Sequence, residues 1–344
     1  MIFFRINIKL LNLLFIILFY AIYPQGNENL IILCNRNIEV GILPEVGGRI
    51  VLLRKPGLRN ILKSDTKLWQ NPEKQKPEIS AFSNFIAFNG HITWIGPQSE
   101  WWTHQTLNME RNKEKADWPP DPYLIYGKNR ILSRNDSSLK MVGPGSPVSG
   151  VKIFKEISIK YSGAVTITST AENIRNENIS RDLWMLTRLD GFAKAYVPIH
   201  KNGVLKLVYS EDKRIETTPY QTIDGYFTLN PSIPDGEKTE QVQEVHLYPD
   251  SNFIAGFSEG QMLLIRFNKL DKNLIHPLHG LVELYNNINK DDNDEKLLEL
   301  EVHGAYSTLT PGDTISLTET WEVFPYDGNT NSNEQIKFLN AIVK

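Results

Sequence analysis

The chain has 344 residues, 37 Lys and Arg against 40 Asp and Glu, and a net charge of −3. That balance disfavours nucleic acid or an anionic membrane as a partner, and the single cysteine, Cys34, excludes an internal disulfide. The length accommodates two ordinary domains, but large all-β sandwiches run past about 200 residues as one unit.

Residues 1–25 carry Arg5 and Lys9 as their only charges, ahead of the apolar run Leu10 to Ala21. This is the layout of a secretory signal peptide, so the mature chain, residues 26–344, is expected in the periplasm or outside the cell as one domain. An uncleaved membrane anchor is the competing reading, because small residues are scarce at the cleavage position. Without the leader 35 basic residues face 40 acidic ones, a net of −5. Cys34, in IILCNRN, reads as a buried strand thiol.

Strand-like runs follow at 37–42, 49–54, 151–160, 164–170, 204–209, 262–268, 281–285, 297–303 and 314–323. Several alternate, as in VKIFKEISIK and TISLTETWEV, and Gly, Pro, Asn or Asp separate them. The expected fold is therefore all-β, a large antiparallel two-sheet sandwich. A helix is expected only at the C-terminus, where Ser332 and Gln335 form a capping box ahead of Ile336, Leu339 and Val343.

The long stretch from Thr66 to Tyr126 has little strand pattern beyond about 83–88. Within it four of the seven tryptophans, Trp94, Trp101, Trp102 and Trp118, fall in 25 residues, with His91, His104, Gln98, Glu100 and Asp121 around them. Flat indole faces beside hydrogen-bonding side chains suit a ligand with C–H patches and many hydroxyls, which describes a sugar. The competing reading is that the indoles plug one end of the β core.

Two further constellations carry chemistry. The turn LPEVGGRI joins two strands through Gly47 and Gly48, placing Arg49 at a cleft rim or beside a structural carboxylate. In LELEVH, strand alternation points Glu299, Glu301 and His303 to one face, where partial desolvation would suit them to proton transfer; an exposed polar face is the alternative. His276-Pro277-Leu278-His279 places two imidazoles together, but no third ligand is evident nearby and no cysteine is in range. No metal or cofactor is expected on that basis. The acidic run Asp291 to Glu295 lacks the glycine and terminal glutamate of a calcium-binding loop and reads as a solvated hairpin tip.

IEVGILPEVGGRIVLLR with Asn60 after it, and LELEVHGAYSTLTPGDTISLTETWEVF, resemble the first and last strands of galactose-mutarotase-like proteins. GHITWIGPQSEWW and WPPDPY resemble an exported bacterial branch of that superfamily, a domain of unknown function. The resemblance spans roughly residues 37 to 325. It implies a β-supersandwich whose concave sheet holds carbohydrate. It also implies a glutamate that takes the anomeric hydroxyl proton while a histidine protonates the ring oxygen. Glu301 matches that glutamate, with Glu299 as the alternative. The histidine's region, AENIRNENISRDLWMLTRLDG, offers Trp184, Thr187 and Arg188 instead. His91, His104 or His303 are the substitutes to consider; Arg188 cannot be a general acid near neutrality but suits a sugar carboxylate.

The expected function is therefore that of an exported carbohydrate-binding or carbohydrate-active protein, in its catalytic form an aldose-epimerase-like isomerase. Glu301 would be the general base, with His91 and His303 as candidate partners. Trp94, Trp101, Trp102, Trp118, Arg49, Gln98, Glu100, Asp121 and Arg188 would contact the sugar. A non-catalytic glycan-binding module and an envelope scaffold are the alternatives.

Overall fold

A computed structural model describes residues 30–199, 202–292 and 296–343. Residues 1–25, where a leader is expected, and part of the acidic run lie outside the described residues. Two sheets, of eleven and ten strands, face each other, antiparallel except where Ile215–Thr217 runs parallel to Glu240–Leu247.

The first sheet is ordered Ile31–Asn35, Ile38–Leu43, Arg49–Arg54, His91–Gly96, Ile179–Asp190, Leu297–His303, Val282–Asn289, Glu240–Leu247 and Val204–Val208. Its centre is thus built from distant parts of the chain. The second sheet centres on Gln261–Phe267, Thr314–Pro325, Val165–Asn173 and Val151–Ile159. Strict alternation in these strands supplies one apolar face each, as in Val151, Ile153, Ile157 and Ile159. The inner faces close one extended hydrophobic cluster, and the fit is tight: a Cβ on Gly256 of the second sheet would lie 2.5 Å from a Leu189 methyl of the first.

Alternation also decides what leaves that core. Leu298, Leu300 and Val302 point between the sheets, so Glu299, Glu301 and His303 project from the opposite face of the first sheet. Across the same strand pairs, that face carries Trp184 and Arg188, then Glu283 and Tyr285, then Glu244 and His246.

The expected turn glycines are required. Gly47 and Gly48 have φ of 66° and 60°, and a Cβ on Gly47 would lie 2.6 Å from the Ile125 carbonyl oxygen. Cys34 sits in the first strand as expected but is only half-buried. The C-terminal helix, Ser332–Val343, docks Ile336 and Leu339 beside Tyr196 and Phe257. Its cap differs from expectation. Asn331 Oδ1 accepts from the Glu334 N–H at 3.0 Å, and Gln335 instead accepts from the Tyr196 hydroxyl at 2.7 Å. No helix among the described residues is long and apolar enough to cross a membrane.

Candidate functional site on the outer face of the first sheet

Between Thr66 and Tyr126 there are four short α-helices, a 3-10 turn at Gln98–Glu100 and one strand, His91–Gly96; no strand forms at 83–88. Buried side chains tie this segment down. Gln105 Nε2 donates to the Trp102 and Asn108 carbonyls at 2.9 and 2.8 Å, and Asn108 Nδ2 donates to the Ala81 carbonyl at 3.0 Å. The Arg111 guanidinium donates to Ala81 and Ser83 carbonyls while lying 4.5 Å over the Trp102 ring. The segment so held walls one side of a cavity of about 650 Å³.

The wall is aromatic and the floor is acidic. Phe85, Trp94, Trp118 and Trp184 supply the apolar surface, with Gln98 at the edge. Trp94 meets Trp101, Trp118 and Trp184 edge-on, at centroid distances of 5.4, 6.3 and 5.0 Å. Trp118, 47 % exposed, forms the rim. The floor comprises Glu244, Glu283, Tyr285, Glu299 and Glu301, with Arg188 beside Glu299. Arg188 Nε donates to Glu299 Oε1 at 2.6 Å, and its guanidinium lies 5.6 Å over the Trp94 ring. The Trp184 indole N–H donates to Glu301 Oε2 at 2.7 Å.

Charge states on the floor diverge. Burial, joined by the charges of Glu299, Glu283 and Glu244, pushes the Glu301 carboxyl well above the usual carboxylate range. Burial works in the same direction on Glu283, but the surrounding imidazoles, His303 foremost, outweigh it and hold Glu283 well below that range. His303 lies beneath the floor, fully buried, stacked on Trp184 at 4.9 Å. Burial opposes its charged form, yet Glu283 and Asp182 raise it to about 9.

The sequence-derived candidates therefore divide. Glu301, Trp94, Trp118, Gln98 and Arg188 line the cavity, and His303 underlies it. His91 does not: it points between the sheets, with Nδ1 2.9 Å from the Thr187 hydroxyl and its ring edge-on to Trp321 at 4.7 Å. Burial together with the Lys155 and Arg49 charges lowers His91 well below the ordinary imidazole range. Arg49 is also away from the cavity lining. It is buried, donates to the Asn89 carbonyl at 2.7 Å, and is lowered to about 9 by burial and the Arg188 charge.

Trp101 and Trp102 are core side chains, their indole N–H groups spent on the Ile95 and Pro119 carbonyls at 2.5 and 2.8 Å. Asp121 caps the helix Pro122–Tyr126, accepting from the Tyr123 and Ser149 N–H groups and the Ser146 hydroxyl. Glu100 lies in a separate surface depression with His104 and Arg181.

Sequence reasoning did not single out Glu283, Glu244, Tyr285 or His246. Each lies on the same alternating face as Glu301, but only strand pairing brings them there: Glu283 stands directly opposite Glu301, and His246 opposite Glu283.

No curated protein matches the chain in sequence. Solved structures share its fold at low identity. A galactose mutarotase related enzyme from Lactobacillus acidophilus is 10% identical with a TM-score of 0.53, covering 88% of this chain and 100% of its own. An aldose epimerase homologue from C. elegans is 12% identical with a TM-score of 0.51, covering 87% and 99%. A galactose mutarotase-like protein from Lactobacillus casei is 9% identical with a TM-score of 0.50, covering 86% and 100%. The fold is thus galactose mutarotase-like, and at the level of the fold its neighbours are carbohydrate-related. The family model for a domain of unknown function, DUF4380, matches residues 29–324, and the chain belongs to that family.

Proposed function

We propose that the chain binds a carbohydrate in this cavity and transfers a proton to or from it, with Glu301 as the proton carrier. The observation that supports this reading most is the setting of Glu301. It is a buried carboxyl on the cavity floor, fixed by the Trp184 indole and raised by burial among other carboxylates. A carboxyl whose hold on its proton is strengthened in this way can exchange that proton with a ring or glycosidic oxygen. The Trp94, Trp118 and Trp184 faces offer the C–H surface of a sugar ring its contacts, and Gln98, Arg188 and Tyr285 offer hydrogen bonds to hydroxyls. An aldose epimerase homologue and a galactose mutarotase related enzyme are among the structural neighbours, and exchanging anomers through an open ring needs one such proton movement at each of two oxygens. Export, which the leader pattern in residues 1–25 supports, would place this activity at the cell envelope.

Binding without turnover is the second reading. It is favoured by Trp184, which stands where the family resemblance supplies a histidine.

The deciding experiment screens monosaccharides, uronic acids and oligosaccharides by thermal shift and tryptophan fluorescence, then follows anomer exchange by NMR for each ligand found. Exchange faster than the uncatalysed rate supports the enzyme; saturable binding with unchanged exchange supports the module. No response across the panel removes the carbohydrate reading.

A further inference from the structure

The three histidines beneath the floor come from separate elements, yet their edges meet one carboxylate. Glu283 Oε1 lies 3.1 Å from His279 Nδ1 and 3.4 Å from His246 Nδ1, and Glu283 Oε2 lies 3.6 Å from His303 Nε2. The Gly280 N–H also donates to Glu283 Oε1, at 2.8 Å. The outer edges of two rings meet further carboxylates: His303 Nδ1 is 3.1 Å from Asp182 Oδ2, and His246 Nε2 is 2.6 Å from Glu244 Oε1. His279 and His303 stack at 4.4 Å.

Two imidazole nitrogens in this group, His279 Nε2 and His303 Nε2, are buried and without hydrogen-bond partners. His303 is 0% exposed and His279 9%. Buried nitrogens of this kind are almost always satisfied. Asp182 anchors His303 at Nδ1 and leaves Nε2 facing Glu283, where it becomes a donor atom once a cation displaces its proton. A carboxylate behind a histidine whose other nitrogen is free is the arrangement that orients metal-ligating imidazoles.

We propose that His279, Glu283 and His303 form a binding site for a divalent transition-metal ion of the zinc type, opening on the cavity at Glu283. One donor atom from each lies within 4.8 Å of the others, all three residues being buried. Coordination at about 2.1 Å sets tetrahedral donors roughly 3.4 Å apart, so side-chain rotation of about an ångström closes the set. Two imidazoles and one carboxylate select zinc, cobalt or nickel over calcium and magnesium, which take oxygen ligands. Asp182 acts as a positioning residue for His303. Glu244, His246 and Glu283 form a second overlapping donor group, in which His246, anchored by Glu244, meets Glu283 Oε1. With three protein ligands the ion keeps open positions toward the cavity, where water or a ligand hydroxyl binds. Only this last step rests on the carbohydrate reading; metal binding does not.

The test uses the purified full chain. Metal content is measured by plasma mass spectrometry. The chelator-stripped protein is then titrated with Zn²⁺ against a competing indicator, and with Co²⁺ while recording its visible d–d absorption. One equivalent of tightly bound zinc is expected, with a raised thermal midpoint and cobalt bands typical of four or five ligands including nitrogen. Glu283→Gln and His279→Gln should each weaken zinc by about 100-fold or more, and Asp182→Asn by about 10-fold. Circular dichroism of the metal-free variants checks the fold. The wild-type cobalt spectrum needs no variant: its absence, together with no saturable zinc binding, overturns the site. Zinc binding that survives both ligand substitutions in folded protein overturns it as well, as a site elsewhere on the chain. Sugar binding without metal binding overturns the metal site alone, and metal binding without any sugar response supports it while removing only the carbohydrate reading.

Discussion

Glu283 and Glu301 stand directly opposite each other on neighbouring antiparallel strands, and their surroundings drive them to opposite charge states. Glu301 is buried among carboxylates, with the Trp184 indole as its donor and Glu299 beside it, and its carboxyl is pushed well above the usual range. Glu283 is equally buried but ringed by imidazoles, and it stays ionised. Two like side chains thereby acquire separate capacities on one floor, proton carriage for Glu301 and cation attraction for Glu283.

Glu301→Gln keeps the shape and the hydrogen bond acceptor for Trp184 but removes the titrating proton. For any sugar whose anomer exchange the protein accelerates, turnover should fall by about 100-fold or more with little change in affinity. Progress curves from NMR check this, and an unchanged rate would show that another group moves the proton.

Trp118 and Trp102 lie sixteen residues apart and should behave in opposite ways. Trp118→Ala removes a rim surface that is 47 % exposed, so ligand affinity should drop by about 1 to 2 kcal/mol while the melting temperature holds. Trp102→Ala empties a fully buried site and frees the Pro119 carbonyl, at a stability cost of about 3 to 5 kcal/mol. Calorimetric titration beside chemical denaturation separates the two.

Asp121→Ala should destabilise by about 2 kcal/mol without altering ligand affinity, because the carboxylate serves the Pro122–Tyr126 helix and the Ser146–Ser149 turn. Urea unfolding measures the loss. A selective loss of sugar binding at unchanged stability would contradict this structural role.

Glu319 makes stability depend on pH. It sits in the core beside Trp321, which donates to Oε2 at 2.7 Å while Oε1 has no partner, and burial raises it to about 8. The folded state therefore keeps a proton that the unfolded chain releases above its ordinary value of 4.5. Its contribution is intact below 4.5 and is lost as pH rises through about 8. Glu319→Gln should flatten that decline and raise stability at pH 8 by on the order of 2 kcal/mol. Denaturation midpoints across the pH range check the slope, and parallel curves for both proteins would refute it.

Local periodicity made much of the sandwich legible. The LELEVH pattern by itself sets Glu301 on the opposite face from Leu300, because a strand's side chains alternate whatever its neighbours are. The same rule separates His91 from Trp94, three residues apart on one strand and hence on opposite faces. Composition alone grouped them in one aromatic site, and reading 91–96 as a strand would have parted them. Trp101 and Trp102 were not separable from Trp118 in this way, since irregular backbone has no period and burial there depends on Gln105, Asn108 and Arg111. Glu283, His246 and His279 lie further from reach. Their meeting depends on which strands pair and in what register, and a single sequence carries no such information.

The fastening of the Thr66–Tyr126 wall by buried amides and a guanidinium has a kinetic and a thermodynamic side. Its conformational entropy is lost when the chain folds, not when a ligand arrives, so an incoming molecule meets surfaces already in position. Trp118 at the rim is the most exposed of the cavity's aromatic side chains. Discrimination should then fall between stereoisomers, which differ in where hydroxyls point, more than between ligands of different size, and association should proceed without a slow ordering phase.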